Sequence, residues 1–314
     1  MTIKRNSGIT ESILKICDYI FITRPTVLFT YWTMILCGAG QSGNMNQLTF
    51  GIIVWISLAM EMTNLLNMLN DLETDLINQK LPWIYENLIS ISAIWKYIIF
   101  LTIISYTGLA IQGSKTLFWV SFISIGGVLG ALYNLGPIPL KGRPVLSLTM
   151  MAVIGIGLWL TGSVATTSIS GIPWEAVFRY CAAWTAVCLI SMIPDIPGDR
   201  DSGKITFAVR YGAKRTNQIA AVLVSLCLID SLLRQDFVIL IPAIVSLPFF
   251  ILASIKYSFK WVHLAGKSSV LVLSLTVGFF YSPIYLLLIA IYFPLAKFYH
   301  KYRLGMDYPT IVRE

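Results

Sequence analysis

Long apolar runs constrain this chain more than any other feature of its sequence. A helix that crosses a membrane needs about 20 mostly apolar residues, and runs of that length recur along almost the whole chain. Transmembrane β-strands would be about half as long and would alternate in polarity, so the runs predict helices. The predicted spans are 19–40, 48–70, 89–112, 116–134, 145–166, 174–194, 215–233, 236–256 and 270–297.

The composition indicates an all-α, polytopic membrane protein with about nine transmembrane helices. Only 12% of the 314 residues are charged, about half the fraction that is usual in soluble domains. The net charge of +8 is attributed to cytoplasmic loops that face anionic membrane lipid, and no nucleic-acid partner is expected. The five cysteines have no paired spacing and are interpreted as small buried apolar residues.

Loop charges predict the orientation of the chain. We expect a cytoplasmic N-terminal tail at 1–18 without a cleaved signal peptide, a transmembrane domain at 19–298 and a C-terminal tail at 299–314. With the N-terminus inside, most basic loop residues fall on the cytoplasmic side. The C-terminal tail disagrees with this orientation, because nine spans place its cations outside, namely Lys297, Lys301, Arg303 and Arg313.

Six of the fifteen acidic residues lie in two short windows, 71–75 and 195–201, each at the inner end of a predicted span. In the first window Asn67, Asp71 and Asp75 are spaced i, i+4 and i+8, which places them on one face of a helix. Carboxylates on one stripe repel each other unless a cation is present, and carboxylate and amide oxygens suit Mg2+. The alternative is a solvated helix end, where acidic residues are common.

The second window combines Asp195 and Asp199 with residues that favour turns. Pro194 and Pro197 predict the end or a kink of the sixth span, and Gly203 predicts a turn. The interleaved Arg200 and Lys204 would contact phosphate or neutralise the acids. Two acidic clusters bridged through Mg2+, with cations on the free oxygens, are the arrangement that a diphosphate needs.

A third polar cluster is the loop from Tyr133 to Pro144, which is rich in proline and glycine. It carries Lys141 and Arg143 and opens on the same predicted membrane face as the two acidic windows. These two cations would grip diphosphate, or they would only reflect the excess of basic residues in cytoplasmic loops.

On these motifs the chain resembles the UbiA superfamily of intramembrane prenyltransferases over nearly its whole length. Asn67, Asp71 and Asp75 match the family pattern NxxxDxxxD, and Asp195, Asp199 and Gly203 match DxxxDxxxG. The runs YNLGPIPLKGRP at 133–144 and IPDIPGDRDSGKITFAVRYG at 193–212 are most similar to the branch of homogentisate prenyltransferases and chlorophyll synthases. Two departures are Lys80 where members often have Arg-Pro, and Met192 where that branch often has an acid.

The resemblance implies a helical bundle around a central cavity and a Mg2+-dependent loss of diphosphate from an isoprenyl diphosphate donor. The prenyl group would pass to a small hydrophobic or aromatic acceptor. The catalytic, metal-binding residues would be Asp71, Asp75, Asp195 and Asp199, with Asn67 at the metal and the diphosphate. Further diphosphate-binding residues would be Lys80, Lys141, Arg143, Arg200 and Lys204, and Tyr133 would stabilise the allylic cation.

Two other functions are consistent with parts of the pattern. A membrane terpene cyclase of the same superfamily would use the same metal site and convert the prenyl diphosphate without an acceptor. A transporter would also need acidic residues in the membrane, but transporters favour internal repeats and acids near the midplane. Here the sequence shows no repeat, and the acidic windows lie at one face.

Overall fold

The structure is a computed structural model that describes residues 8–77, 82–85, 87–135, 140–256 and 258–306. These residues form helices joined by short connections and short 3-10 turns. The helices are α1 (Gly8–Ile22), α2 (Pro25–Gln41), α3 (Phe50–Asn70), α4 (Leu72–Ile77), α5 (Pro82–Tyr85), α6 (Ile91–Gln112), α7 (Lys115–Leu132), α8 (Pro144–Thr166), α9 (Trp174–Ser191), α10 (Ile196–Asp201), α11 (Phe207–Leu233), α12 (Phe237–Lys256), α13 (Phe259–Phe280) and α14 (Pro283–Leu304).

The prediction of a helical membrane protein with about nine spans is confirmed. Eight helices in the described part of the chain are long and apolar enough to cross a membrane, and α1 and α2 together form a ninth candidate across a 48° bend. Apolar side chains such as Ile111, Phe178 and Leu233 are each at least 75% exposed on the outside of the bundle. Burial in lipid stabilises such a surface, so the chain is an integral, multi-pass membrane protein.

Local signals set the ends of the long helices. Thr49, Ser90 and Ser114 each accept a hydrogen bond from a backbone N–H in the first turn that follows, which satisfies donors that a helix start leaves unpaired. Proline occupies the first turn of α2 and α8, where its missing N–H costs nothing. Short connections then make successive helices antiparallel.

One predicted span is wrong. The apolar run 270–297 is not a single helix, because α13 ends at Phe280 and α14 begins at Pro283. Ser282 has a non-helical backbone, with φ −152° and ψ 87°, and the proline cannot continue a helix. The break was hidden because it is short and apolar residues flank it on both sides.

Because the run 270–297 forms two helices and not one, the described C-terminal cations lie at the opposite end of the bundle from the one that nine spans predict. α9, with 18 residues, is a long helix in addition to the nine candidate spans. The described residues therefore form ten long helices in succession from α2 to α14. The end of α14 therefore returns to the end of the bundle where α2 begins. We call this end, which carries Arg24, Asn70 and Asp195, the site end, and the opposite end, which carries Gln41 and Tyr281, the far end. Arg303 lies at the site end beside α1.

Helices α2 and α8 cross at close distance, with a glycine of each helix at the crossing. A side chain at Gly38 would collide with the backbone of Trp159, and one at Gly162 would collide with the backbone of Ile35. Small residues at such a crossing let two backbones approach closely, which is how membrane helices gain packing energy.

We predict that Gly38→Ala destabilises the protein by about 1–3 kcal/mol, because the added methyl group meets a backbone that cannot rotate away. Thermal unfolding in detergent would show a lower melting temperature. Gly127→Ala is the control, since its methyl group would approach only the Phe122 carbonyl, at 3.7 Å. Equal melting temperatures for the two variants would contradict the close crossing.

Candidate active site

The first acidic cluster lies where α3 ends. The Asp71 N–H donates to the Asn67 carbonyl at 2.9 Å and the Asp75 N–H donates to the Asp71 carbonyl at 2.7 Å, so the helical register continues through the motif. Asn67, Asp71 and Asp75 all line one cavity, as their spacing predicts. The end of α3 and the short helix α4 therefore present two carboxylates and one amide to that cavity.

The second acidic cluster lies between α9 and α11. Asp195 precedes α10, and Asp199 lies within that short helix. Gly203 has φ +74°, a conformation that favours glycine, and the turn lets the Lys204 N–H donate to the Asp199 carbonyl at 2.8 Å. The Thr206 hydroxyl donates to the Asp199 carboxylate at 3.2 Å. The predicted break and turn are both confirmed, and they aim Asp195 and Asp199 at the same cavity.

Two cations hold the first cluster. The Lys204 ammonium, from the loop of the second cluster, lies 2.6 Å from the Asp71 carboxylate, so an ion pair ties the two clusters together. The Arg24 guanidinium lies 2.8 Å from the Asp75 carboxylate. Both pairs are partly shielded from solvent, where charge-assisted hydrogen bonds are stronger than on an open surface.

Arg24 is the site residue that sequence reasoning missed. It lies at the bend between α1 and α2 with φ +56°, a conformation that costs a residue with a side chain about 1–2 kcal/mol. Such strain is typical of functional sites. The available signal is the Arg-Pro dipeptide at 24–25, but in the sequence Arg24 counts only as one of the basic residues of the N-terminal tail.

The two clusters form the polar end of one cavity of about 510 Å3 inside the bundle. Below them the lining changes to apolar and aromatic side chains. Tyr31 and Asn64 make a polar contact within the wall, since the tyrosine hydroxyl donates to the amide oxygen at 3.0 Å. The remaining wall is mainly apolar and includes Met34, Met151, Ile154, Trp184, Ile239 and Leu273.

Not every predicted site residue reaches this cavity. Lys204 and Tyr133 line it together with the acidic residues. Arg143 and Arg200 are exposed and are not part of its wall. Arg143 directly precedes α8, and Arg200 follows Asp199 on α10. Lys80 and the side chain of Lys141 lie outside the described residues.

The electrostatics of the site suit a divalent cation. Burial and the nearby Asp195 carboxylate raise the pKa of Asp199 to about 6, against the opposing effects of Thr206 and Lys204. In the part of the chain that the structure describes, no three acidic, histidine or cysteine side chains converge on one point. Mg2+ needs few protein ligands and completes its shell with water and phosphate oxygens, so two separate carboxylate clusters fit it.

Comparison with known families identifies the bundle. The model of the UbiA prenyltransferase family matches residues 26–263, which include both acidic clusters. The chain belongs to the UbiA prenyltransferase family. It is thus a member of a family of prenyltransferase enzymes, and the resemblance drawn from the two aspartate motifs is confirmed.

Solved structures of UbiA homologues share the fold. One from Archaeoglobus fulgidus, bound to GPP and Mg2+, has a TM-score of 0.63 and 16% sequence identity, covering 85% of this chain and 99% of that one. Another, from Aeropyrum pernix K1 without ligand, has a TM-score of 0.55 and 14% identity, covering 80% of this chain and 95% of that one. At such identity the likeness is one of fold.

A plant protein is more similar in sequence. It is a chloroplastic 2-acyl-4-prenylphloroglucinol 6-prenyltransferase of Humulus lupulus, 30% identical over 160 residues. The match covers 48% of this chain and 39% of the plant protein, so the chain spans less than half the length of that relative.

We predict that Asp199→Asn stabilises the metal-free protein by about 1–2 kcal/mol at pH 8. A raised carboxyl pKa means that folding favours the protonated form, so ionisation of Asp199 destabilises the fold increasingly between its ordinary pKa of 3.8 and the raised pKa of about 6, and the neutral amide removes that penalty. Melting temperatures in a chelator at pH 8 and pH 5 would test this.

At pH 5 the gain should fall to about half, because the unfolded chain, with the ordinary aspartate pKa of 3.8, is still ionised there and must take up a proton to fold. Asp201→Asn is the matched control, since Asp201 is an exposed acid on the same short helix, and it should change little at either pH. A stabilisation of Asp199→Asn that is equal at both values would contradict the raised pKa.

Proposed function

We propose that this protein is a Mg2+-dependent prenyltransferase that moves a prenyl group from an isoprenyl diphosphate to an aromatic acceptor and releases diphosphate. The observation that carries the proposal is the Lys204–Asp71 ion pair, which joins two aspartate clusters at the polar end of an otherwise apolar cavity. A diphosphate head fits the charged end, and an isoprenoid tail fits the apolar walls.

The charged residues would divide the work of binding the donor. Asp71 and Asp75 on one side, and Asp195 and Asp199 on the other, would hold Mg2+ together with Asn67. The ion would supply positive charge that neutralises the leaving diphosphate. Lys204 and Arg24 would hold diphosphate oxygens directly. The Nε atom of Arg24 supports this role, because it is buried at the cavity and has no hydrogen-bond partner within the described part of the chain.

The apolar wall would protect the reacting carbon. When the bond between C1 of the prenyl group and the diphosphate oxygen breaks, its electron pair leaves with the diphosphate, and an allylic cation remains. The walls would exclude water that would otherwise capture this cation. Tyr133 lies in the wall and would offer its ring to the cation. A carbon of the acceptor then attacks C1, and the adduct loses a proton.

The acceptor and the sidedness belong to the same proposal. The Humulus lupulus relative is named for an aromatic acceptor of the phloroglucinol type, which supports an electron-rich ring as the nucleophile here. The basic residues of the loops support a cytoplasmic N-terminus, with the site end on the cytoplasmic side and in contact with membrane lipid.

We predict that Asp71→Ala and Asp195→Ala each abolish release of diphosphate by the purified protein with Mg2+ and a prenyl diphosphate, because each removes a carboxylate from one cluster. Diphosphate release can be followed by a coupled assay. The matched control is Glu73→Ala, since Glu73 is exposed and lies outside the cavity wall between the two motif acids. Normal turnover by either aspartate variant would contradict the proposed site.

The acceptor is tested separately with the unchanged protein. Incubation with Mg2+ and donors of increasing length, with and without a phloroglucinol-type acceptor, should give a C-prenylated product only when the acceptor is present. A hydrocarbon formed from the donor alone would identify a cyclase instead.

We further predict that Arg24→Met lowers kcat/KM for the donor by about 10- to 100-fold, the effect of losing a hydrogen bond to a charged group. The loss should appear mainly in KM if Arg24 holds the diphosphate in the ground state. Arg210→Met is the control, because Arg210 is an exposed cation at the same end of the bundle. Equal kinetics for both variants would remove Arg24 from the site.

A further inference from the structure

The two ends of the chain lie outside the family match at 26–263, and they bind each other at the site end. Arg303, near the end of α14, forms a bidentate ion pair with Asp18 of α1, with Nη2 to Oδ2 at 2.7 Å and Nε to Oδ1 at 3.1 Å. Both side chains are at most 4% exposed. A buried pair of this kind persists only where the partner geometry is well defined.

A third segment joins this pair. The Tyr299 hydroxyl donates to the Asp18 carboxylate at 2.5 Å and accepts a hydrogen bond from the indole N–H of Trp83 at 2.9 Å. Trp83 is 1% exposed and lies in α5. Phe21 stacks on the ring of Tyr299, with centroids 4.1 Å apart. We call Asp18, Trp83, Tyr299 and Arg303 the terminal clamp.

The clamp residues Asp18 and Trp83 lie close in sequence to the two partners of an ion pair at the cavity. α1 ends at Ile22, two residues before Arg24, and α5 begins seven residues after Asp75. Arg24 and Asp75 are the partners of the 2.8 Å ion pair at the cavity. Asp18 thus lies six residues before Arg24 and Trp83 eight residues after Asp75, and the Tyr299 hydroxyl hydrogen-bonds to both Asp18 and Trp83.

We propose that the terminal clamp positions Arg24 and Asp75 for the Mg2+ diphosphate, so that the C-terminal helix α14, outside the family match, takes part in forming the site. The inference rests on the proposed function. The clamp residues are positioning residues, because none of them lines the cavity. Loss of the Tyr299 hydroxyl would loosen α1 against α5 and lower the affinity for the metal-bound diphosphate.

The far end of the bundle has a comparable hydrogen-bond network around a buried carboxylate, and the residues of this network do not line the cavity. There the Tyr180 hydroxyl donates to Asp236 at 3.2 Å, and Arg179 and Gln41 donate to the same carboxylate, at 3.0 and 3.1 Å. Tyr180 is buried, as Tyr299 is, with 0% and 5% exposure respectively, and it does not line the cavity. Tyr180→Phe therefore removes an equivalent hydroxyl from a buried carboxylate far from the acidic clusters.

The experiment compares Tyr299→Phe, Tyr180→Phe and the unchanged full-length protein. Binding is measured without turnover, from the rise in melting temperature as Mg2+ and inorganic diphosphate are added together. We expect Tyr299→Phe to need about tenfold more ligand for half the rise, the effect of losing a residue that orients metal ligands, and to show a higher donor KM with little change in kcat. Tyr180→Phe should lower the metal-free melting temperature but keep the half-saturating concentration.

Each outcome decides the proposal. Equal half-saturating concentrations for the two variants would overturn the clamp and leave the proposed function intact, provided the unchanged protein binds the ligand. Failure of the unchanged protein to bind would contradict the proposed function and the clamp together. If Tyr299→Phe does not fold, Trp83→Phe removes the other half of the bridge and must weaken binding in the same way for the proposal to stand.

Discussion

The structure depends on placing four carboxylates at one end of an apolar bundle, with Asp75 and Asp199 buried and Asp71 and Asp195 half-buried. Carboxylates in a medium of low dielectric repel one another and lose hydration, so this chain must stabilise them locally. It does so with Lys204 on Asp71, Arg24 on Asp75 and the Thr206 hydroxyl on Asp199. The strained backbone at Arg24 and the glycine turn at residue 203 serve this purpose, because each aims a donor at a carboxylate.

The two polar ends of the bundle show how a structural carboxylate differs from a functional one. At the far end, Asp236 accepts hydrogen bonds from Arg179, Tyr180 and Gln41 and lies away from the cavity. These hydrogen bonds connect the helices at the far end to one another. At the site end, the carboxylates face a cavity, and the buried Arg24 Nε has no hydrogen-bond partner among the residues that the structure describes. An unpaired buried donor is costly, and it is tolerated where a ligand completes the network.

Much of this arrangement can be predicted from short-range patterns in the sequence. The spacing of Asn67, Asp71 and Asp75 predicts one helix face, and Pro194 and Pro197 predict the loop that presents Asp195 and Asp199, because both are short-range effects. Arg24 could not be predicted in the same way, since its role depends on a bend that brings together residues 51 positions apart. The misread run at 270–297 has a similar cause, because apolar length alone does not reveal a two-residue break.

The central claim is that the two aspartate clusters bind a single metal-bound diphosphate between them. Anomalous diffraction from crystals grown with Mn2+ and a non-hydrolysable prenyl diphosphate analogue tests it most directly. The account predicts metal peaks between the Asp71–Asp75 pair and the Asp195–Asp199 pair, with the diphosphate beside Lys204 and Arg24. Metal bound at only one cluster, or a diphosphate held elsewhere on the bundle, would contradict it.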